Sequence, residues 1–240
     1  MNPTIQHKQS VVCSRVCLTT SNTIRNIFIS VGLLFALTGP LAADKPQPTI
    51  ITFDAPGAVA TFVAGINPAG VISGGYVDAN NVLHGFVRAP DDTFTTYEAP
   101  GAGTGPGQGT GPNGINNPAG DITGNVTDAS NVTHGYVRAK DGTITTFDAP
   151  GAGTGPGQGT QPLSINPKGV ITGWYTDASN VNHSFVRAKN GTITTFDAPG
   201  AGTGPGQGTA TFSGVTNPTG ATTGSYIDSG NVTHGFLRSP

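Results

Sequence analysis

The chain has 240 residues, 37 of them Gly and 19 Pro, with 10% charged residues and a formal net charge of −2. So weak a charge, with no basic stretch, argues against nucleic acid or an anionic membrane surface as a partner. Both cysteines, Cys13 and Cys17, fall in the first 43 residues. The remainder therefore has no thiol for a disulfide, for catalysis or for a thiolate metal site.

The opening segment differs from everything after it. A polar lead with Lys8, Arg15 and Arg25 runs into the apolar stretch 27–37, then Gly39, Pro40, Leu41, Ala42 and Ala43. This is the pattern of a secretory signal peptide over 1–43, cleaved after Ala42 or Ala43, with an uncleaved anchor as the alternative. Nothing later is apolar enough to span a membrane. The expected product, 44–240, is secreted, either extracellular or periplasmic. It carries eight Lys or Arg against thirteen Asp or Glu, a formal net charge of −5.

From there one unit recurs. An aromatic-acid-Ala-Pro-Gly element stands at Phe53, Tyr97, Phe147 and Phe196, spaced 44, 50 and 49 residues; histidine recurs at 84, 134, 183 and 234, spaced 50, 49 and 51. A period near 49 marks a propeller, a solenoid or an array. The units run over about 58–98, 101–148, 151–197 and 200–238. The first interval is short because GAVAT (57–61) stands where later copies carry GAGTGPGQGT. That decapeptide, at 101–110, 151–160 and 200–209, has neither a following helix nor a terminal Lys to make a phosphate loop, and reads as a long, mobile linker.

Within the unit 114–150, short runs rich in Thr, Val, Ile and aromatics alternate with turn residues, which predicts four strands: one ending near Ile115, then 121–127, 134–138 and 143–148. Asn117-Pro118-Ala119-Gly120 has the residue order of a type I turn. Asp141-Gly142 predicts a two-residue hairpin loop that sets Tyr136 opposite Phe147. The same register pairs Phe86 with Tyr97 and Phe185 with Phe196.

One spare strand precedes the first unit, at 49–54, and the fourth strand is missing from the last. The two fragments complete each other. The expected fold is therefore all-β, a four-bladed β-propeller of four-stranded repeats closed by the N-terminal strand, and a monomer. Part of a larger ring assembled from two chains, or a β-solenoid, is the alternative.

The order GIN, a turn ending in Gly, Gly again, then HGF or HSF followed by an aliphatic residue resembles the HAF family of bacterial extracellular repeats over about 48–240. It departs from that family's middle Ala at Gly85, Gly135, Ser184 and Gly235. The resemblance implies a secreted, propeller-like repeat protein and brings no catalytic residues. A weaker likeness is to the streptogramin B lyase type of propeller, whose aromatic-rich Trp-Phe-Thr-Glu strand is absent here.

Candidate chemistry is sparse. Four histidines at one repeat position suggest a metal ring, but third-strand positions two strand spacings from an axis would hold them more than about 10 Å apart. Asp54, Glu98, Asp148 and Asp197 read as turn caps without a second carboxylate nearby in sequence. Asp78, Asp128, Asp177 and Asp228 open the loops DANN, DASN, DASN and DSGN, whose Asp, Ser and Asn oxygens can hold calcium, yet the same residues also favour plain turns. No other cofactor is expected. Right after the second-strand Gly, near-identical units carry Gly75, Asn125, Trp174 and Ser225. A position that accepts Gly or Trp is not locked into the core. Trp174, Tyr175 and Asn125 are thus the candidate ligand contacts, for carbohydrate or a surface protein, in a non-enzymatic module. A lyase or hydrolase at the propeller mouth and a structural surface or matrix protein are the rival readings.

Overall fold

The hairpins of every unit turn in the same way. In the second unit Gly120, Asn131 and Gly142 each donate to the carbonyl three residues back, from Asn117, Asp128 and Ala139. Each has positive φ, 91°, 61° and 94°, which Gly and Asn tolerate best. The result is a three-residue loop, a type I turn followed by a left-handed residue. In this computed structural model the described residues are 48–113, 117–210 and 216–240. The expected signal peptide at 1–43 and the strand end near Ile115 lie outside them. Residues 1–50 form a separate unit, described only over 48–50, and residues 51–240 form the other.

Among the described residues there are fifteen strands: β1 Ala60–Ile66, β2 Ile72–Val77, β3 Leu83–Arg88, β4 Phe94–Tyr97, β5 Gly109–Pro112, β6 Ile122–Thr127, β7 Thr133–Arg138, β8 Ile144–Phe147, β9 Gly159–Ile165, β10 Ile171–Thr176, β11 Asn182–Arg187, β12 Ile193–Phe196, β13 Gly208–Ala210, β14 Thr222–Ile227 and β15 Thr233–Arg238. The all-β repeat architecture expected from the sequence is present. Four antiparallel strands per unit appear in the first three units, in chain order.

The register of the last hairpin differs from expectation. Because its loop has three residues, Ala139 pairs with Thr143, and Phe147 falls opposite Gly135 instead of Tyr136. Glycine is needed there: a β-carbon on Gly135 would stand 2.7 Å from the Phe147 ring. The fourth-strand aromatic is thus freed to pack on the next unit. Tyr97 meets Tyr136, Phe147 meets Phe185 and Phe196 meets Phe236, all near-perpendicular, with centroids 6.2, 6.0 and 5.8 Å apart. Tyr136 and Phe185 are fully buried by these contacts, so the core lies between units, where Phe147, Ala149, Ile165, Ile171 and Phe185 cluster.

Neighbouring units are also joined through the backbone. The first residue of β5, β9 and β13 makes a parallel bridge to the previous unit's third strand: Leu83 to Gly109, Thr133 to Gly159, Asn182 to Gly208. All fifteen strands belong to one mixed sheet, and the sheet is not closed. The expected closing strand does not form. Residues 49–54 carry no strand, and Phe53 packs on Phe86 of the first unit, centroids 6.5 Å apart.

Candidate functional site

The first three units place their histidine between two carboxylates. The hairpin turns bring the Asp of the DASN-type loop to one side of the imidazole and the acid ending the fourth strand to the other. His134 Nδ1 lies 3.0 Å from Asp148 and its Nε2 3.4 Å from Asp128. His183 repeats this with Asp197 at 2.9 Å and Asp177 at 3.5 Å, and His84 with Glu98 and Asp78. In the last unit His234 meets, among the described residues, one carboxylate, Asp228, at 3.1 Å. On the opposite strand Tyr76, Tyr175 and Tyr226 stack on the rings, centroids 4.8, 5.0 and 4.9 Å apart. Val126 takes that place in the second unit.

This constellation ties turn to strand. Oδ1 of Asp128 accepts from the amides of Ser130 and Val132, both at 2.8 Å, leaving Oδ2 for His134. Burial pushes the Asp128 carboxyl up, but those amides and the histidine outweigh it, and its pKa lies below the ordinary value. In Asp78 and Asp228 the amides of Val82 and Val232 are the leading cause of the same lowering. Oδ1 of each loop aspartate is thus engaged by two backbone amides. Among the described residues, no group of three His, Cys, Asp or Glu stands so as to hold a metal.

The fourth-strand carboxylates of Glu98, Asp148 and Asp197, expected to cap the following turn, instead face the histidines. Beside them Ala149 donates to Thr160 Oγ1 at 2.9 Å, and the Ala149-Pro150-Gly151-Ala152 turn closes through Ala152 N to Ala149 O. Gly151 at φ 91° gives it type II geometry, with Pro first and Gly second.

The decapeptide is no loose tether. Gln158 Oε1 accepts from Gly155 N at 2.9 Å, and its Nε2 donates to Asn180 Oδ1 at 3.0 Å in the next turn. Its carbonyl accepts from Thr133 N of the previous unit, while Gly157 N donates to Asn131 O. Gln108 and Gln207 do the same at the other junctions. The expectation of a mobile linker fails because this segment staples one DASN-type turn to the next. Its verbatim repetition was the available signal, since an unconstrained loop has no reason to stay identical three times.

A second row joins the turns that open at Asn117, Asn166 and Asn217. Asn117 Nδ2 donates to Asn166 O at 3.3 Å and Asn166 Nδ2 to Asn217 O at 3.1 Å. Their Oδ1 atoms meanwhile hold their own turns.

Trp174 is half-buried and sits in register with Gln161 on β9 and Ser184 on β11. Asn125 holds the equivalent place between Gly111 and Gly135 one unit earlier, bonded to Asn113. Tyr175 is buried, on the His183 stack. The three candidates therefore sit in separate settings. Burial raises the Tyr175 phenol pKa, with Asp197 and Asp177 adding to it and a hydrogen bond with Thr195 opposing.

Grooves open at two junctions. One of about 290 Å³ is lined by Asn67, Val87, Ile122, Arg138 and Lys140 among others; the next, about 310 Å³, by Asp121, Val137, Ile165, Arg187 and Lys189 among others. Neither is lined by Trp174, Tyr175 or Asn125. The arginines lie over the preceding unit's aromatic, Arg138 on Tyr97 at 4.9 Å and Arg187 on Phe147 at 4.7 Å, so packing uses their flat faces. No family model matches this chain, and no curated protein is similar to it.

Proposed function

We propose that this chain is a secreted, non-enzymatic repeat module that binds carbohydrate or a surface protein through the face bearing Trp174. The observation that carries this is local. A half-buried Trp174 stands between polar Gln161 and Ser184, where the other units have Gly75, Asn125 and Ser225. An indole beside the half-exposed Gln161 amide suits the apolar face and hydroxyl rim of a sugar ring, while the buried Ser184 hydroxyl donates to Thr209 O. Secretion is supported by the apolar run 27–37 and by the likeness to HAF-type repeats.

A structural surface role is the second reading, favoured by how the recurring residues are employed. Asparagines, glutamines, arginines and aromatics that repeat are bonded or stacked to their own or the adjacent unit. The propeller-mouth enzyme has less behind it, because both ring nitrogens of His84, His134 and His183 already face carboxylates.

We read the units as an open stack instead of a four-bladed ring. Support comes from the first unit, where Ala60 replaces the bridging Gly and GAVAT replaces the staple. In a ring, this unit too would need both to meet a predecessor.

A glycan and polysaccharide array with the wild-type chain and Trp174→Ala tests the binding reading. Specific signals that vanish in the variant are expected. A blank array, or signals that Trp174→Ala leaves unchanged, would move the conclusion to the structural role.

A further inference from the structure

Residues 49–54 read Thr-Ile-Ile-Thr-Phe-Asp, and the fourth-strand segments 143–148 and 192–197 both read Thr-Ile-Thr-Thr-Phe-Asp. The sole difference is Ile51 for Thr. Phe53 already stands where a preceding unit's fourth-strand aromatic would stand. It packs edge-on to Phe86 beneath the Arg88 guanidinium at 4.6 Å, as Phe147 does on Phe185 beneath Arg187. Ala55 N donates to Thr61 Oγ1, matching Ala149 and Thr160. Among the described residues this segment therefore has the setting of a fourth strand with no third strand beside it, and Ile51 is 72% exposed.

The complementary vacancy is at the other end. Among the described residues β15 pairs with β14 alone, and Gly235 is exposed where Gly85 and Gly135 are covered by Tyr97 and Phe147. Leu237 is 77% exposed. Carrying over the register of β8 on β7, with Gly135 opposite Phe147 and Val137 opposite Thr145, sets Phe53 opposite Gly235 and Ile51 opposite Leu237. The inner Thr–Val pair becomes an Ile–Leu pair at this one place.

We infer that a second copy of this chain fills that edge. Residues 49–54 of one copy add as the missing fourth strand of the preceding copy's last unit, giving head-to-tail assembly in place of the expected monomer. The strand supplies backbone hydrogen bonds to an otherwise open sheet edge. Phe53 is covered on both sides, and Ile51 with Leu237 leaves water. Because donor and acceptor surfaces differ, the contact is heterologous and generates rows or rings of copies. It is independent of any ligand at Trp174.

The test uses the full chain with Cys13→Ser and Cys17→Ser, into which Ile51→Cys and Leu237→Cys are placed singly in separate chains, and together in one. Opposed residues on paired strands lie about 4.5–5.5 Å apart at Cα, within disulfide reach. Mixing the two single variants under mild oxidation should give a dimer bridged between unlike chains, and the double variant a ladder of multimers. An internally bridged monomer from the double variant would overturn the inference in favour of ring closure within one chain. So would absence of any bridge together with a concentration-independent monomer mass of the wild type by light scattering. Leu237→Asp, which buries an unpaired charge in the proposed contact, should raise the concentration of half-association at least about tenfold; an unchanged midpoint also overturns it.

Discussion

A β-carbon added to Gly159 would stand 2.0 Å from the carbonyl oxygen of Thr133. The backbone of one unit thus touches the backbone of the previous one with no room between, and Gly159 holds φ at 114°. Gly159→Ala must both strain the backbone and push two units apart, which should cost about 2–4 kcal/mol. Ala60→Gly, at the equivalent place but without a parallel bridge among the described residues, should cost about 1 kcal/mol or less. Urea unfolding of the two variants checks the contrast; equal losses would mean that the parallel bridge contributes nothing.

Phe185 is fully buried and Phe236, its counterpart in the last unit, is half-exposed. Phe185→Ala should therefore cost about 3–5 kcal/mol, and Phe236→Ala clearly less in a dilute solution of single chains. Matching midpoints for the two variants would contradict a core built between units.

Gln158→Ala removes one acceptor and two donors that connect adjacent turns. A loss of about 1–3 kcal/mol is expected, with faster amide hydrogen exchange at Gly155 and Gly157. Unchanged exchange there would return this segment to the status of a tether.

Acid should weaken the fold through the loop aspartates. Asp78, Asp128, Asp177 and Asp228 all lie below their ordinary value near 3.8. A carboxyl lowered on folding contributes stability that is whole above its unfolded value and is lost as pH falls through its folded one. The melting temperature should hold from neutral pH down to about 5 and fall below about 4. Asp128→Asn keeps the Oδ1 acceptor and removes one titration, so it should flatten that decline; an unaltered acid limb would show that the amide contacts do not discriminate charge.

Strand content and turn positions were legible because alternation and the Asn, Asp and Gly punctuation are local. What the sequence hid was one residue of register. Asp141-Gly142 fits a two-residue loop as well as the last two places of a three-residue one, and the choice depends on where Phe147 can be buried. With Gly135 opposite, the ring reaches Phe185 in the next unit, a contact that no within-unit pairing suggests. The same limit concealed the site. Pairing of His134 with Asp128 and Asp148 needs two hairpins folded together, and the role of Gln158 needs the adjacent turn in place. Trp174 was legible as a departure among near-identical copies, while the burial of Tyr175 beside it followed from the His183 stack.

The staple at 151–160 belongs to a boundary between units and not to either unit. Duplication of a stretch one period long copies a unit together with the boundary that welds it to its neighbour, so no new interface has to arise when the array grows. Length is then the trait that such a gene changes most easily. A chain carrying an extra copy of 151–199 should extend the same mixed sheet by one more row of His, Asn and Gln contacts, without recognising anything new.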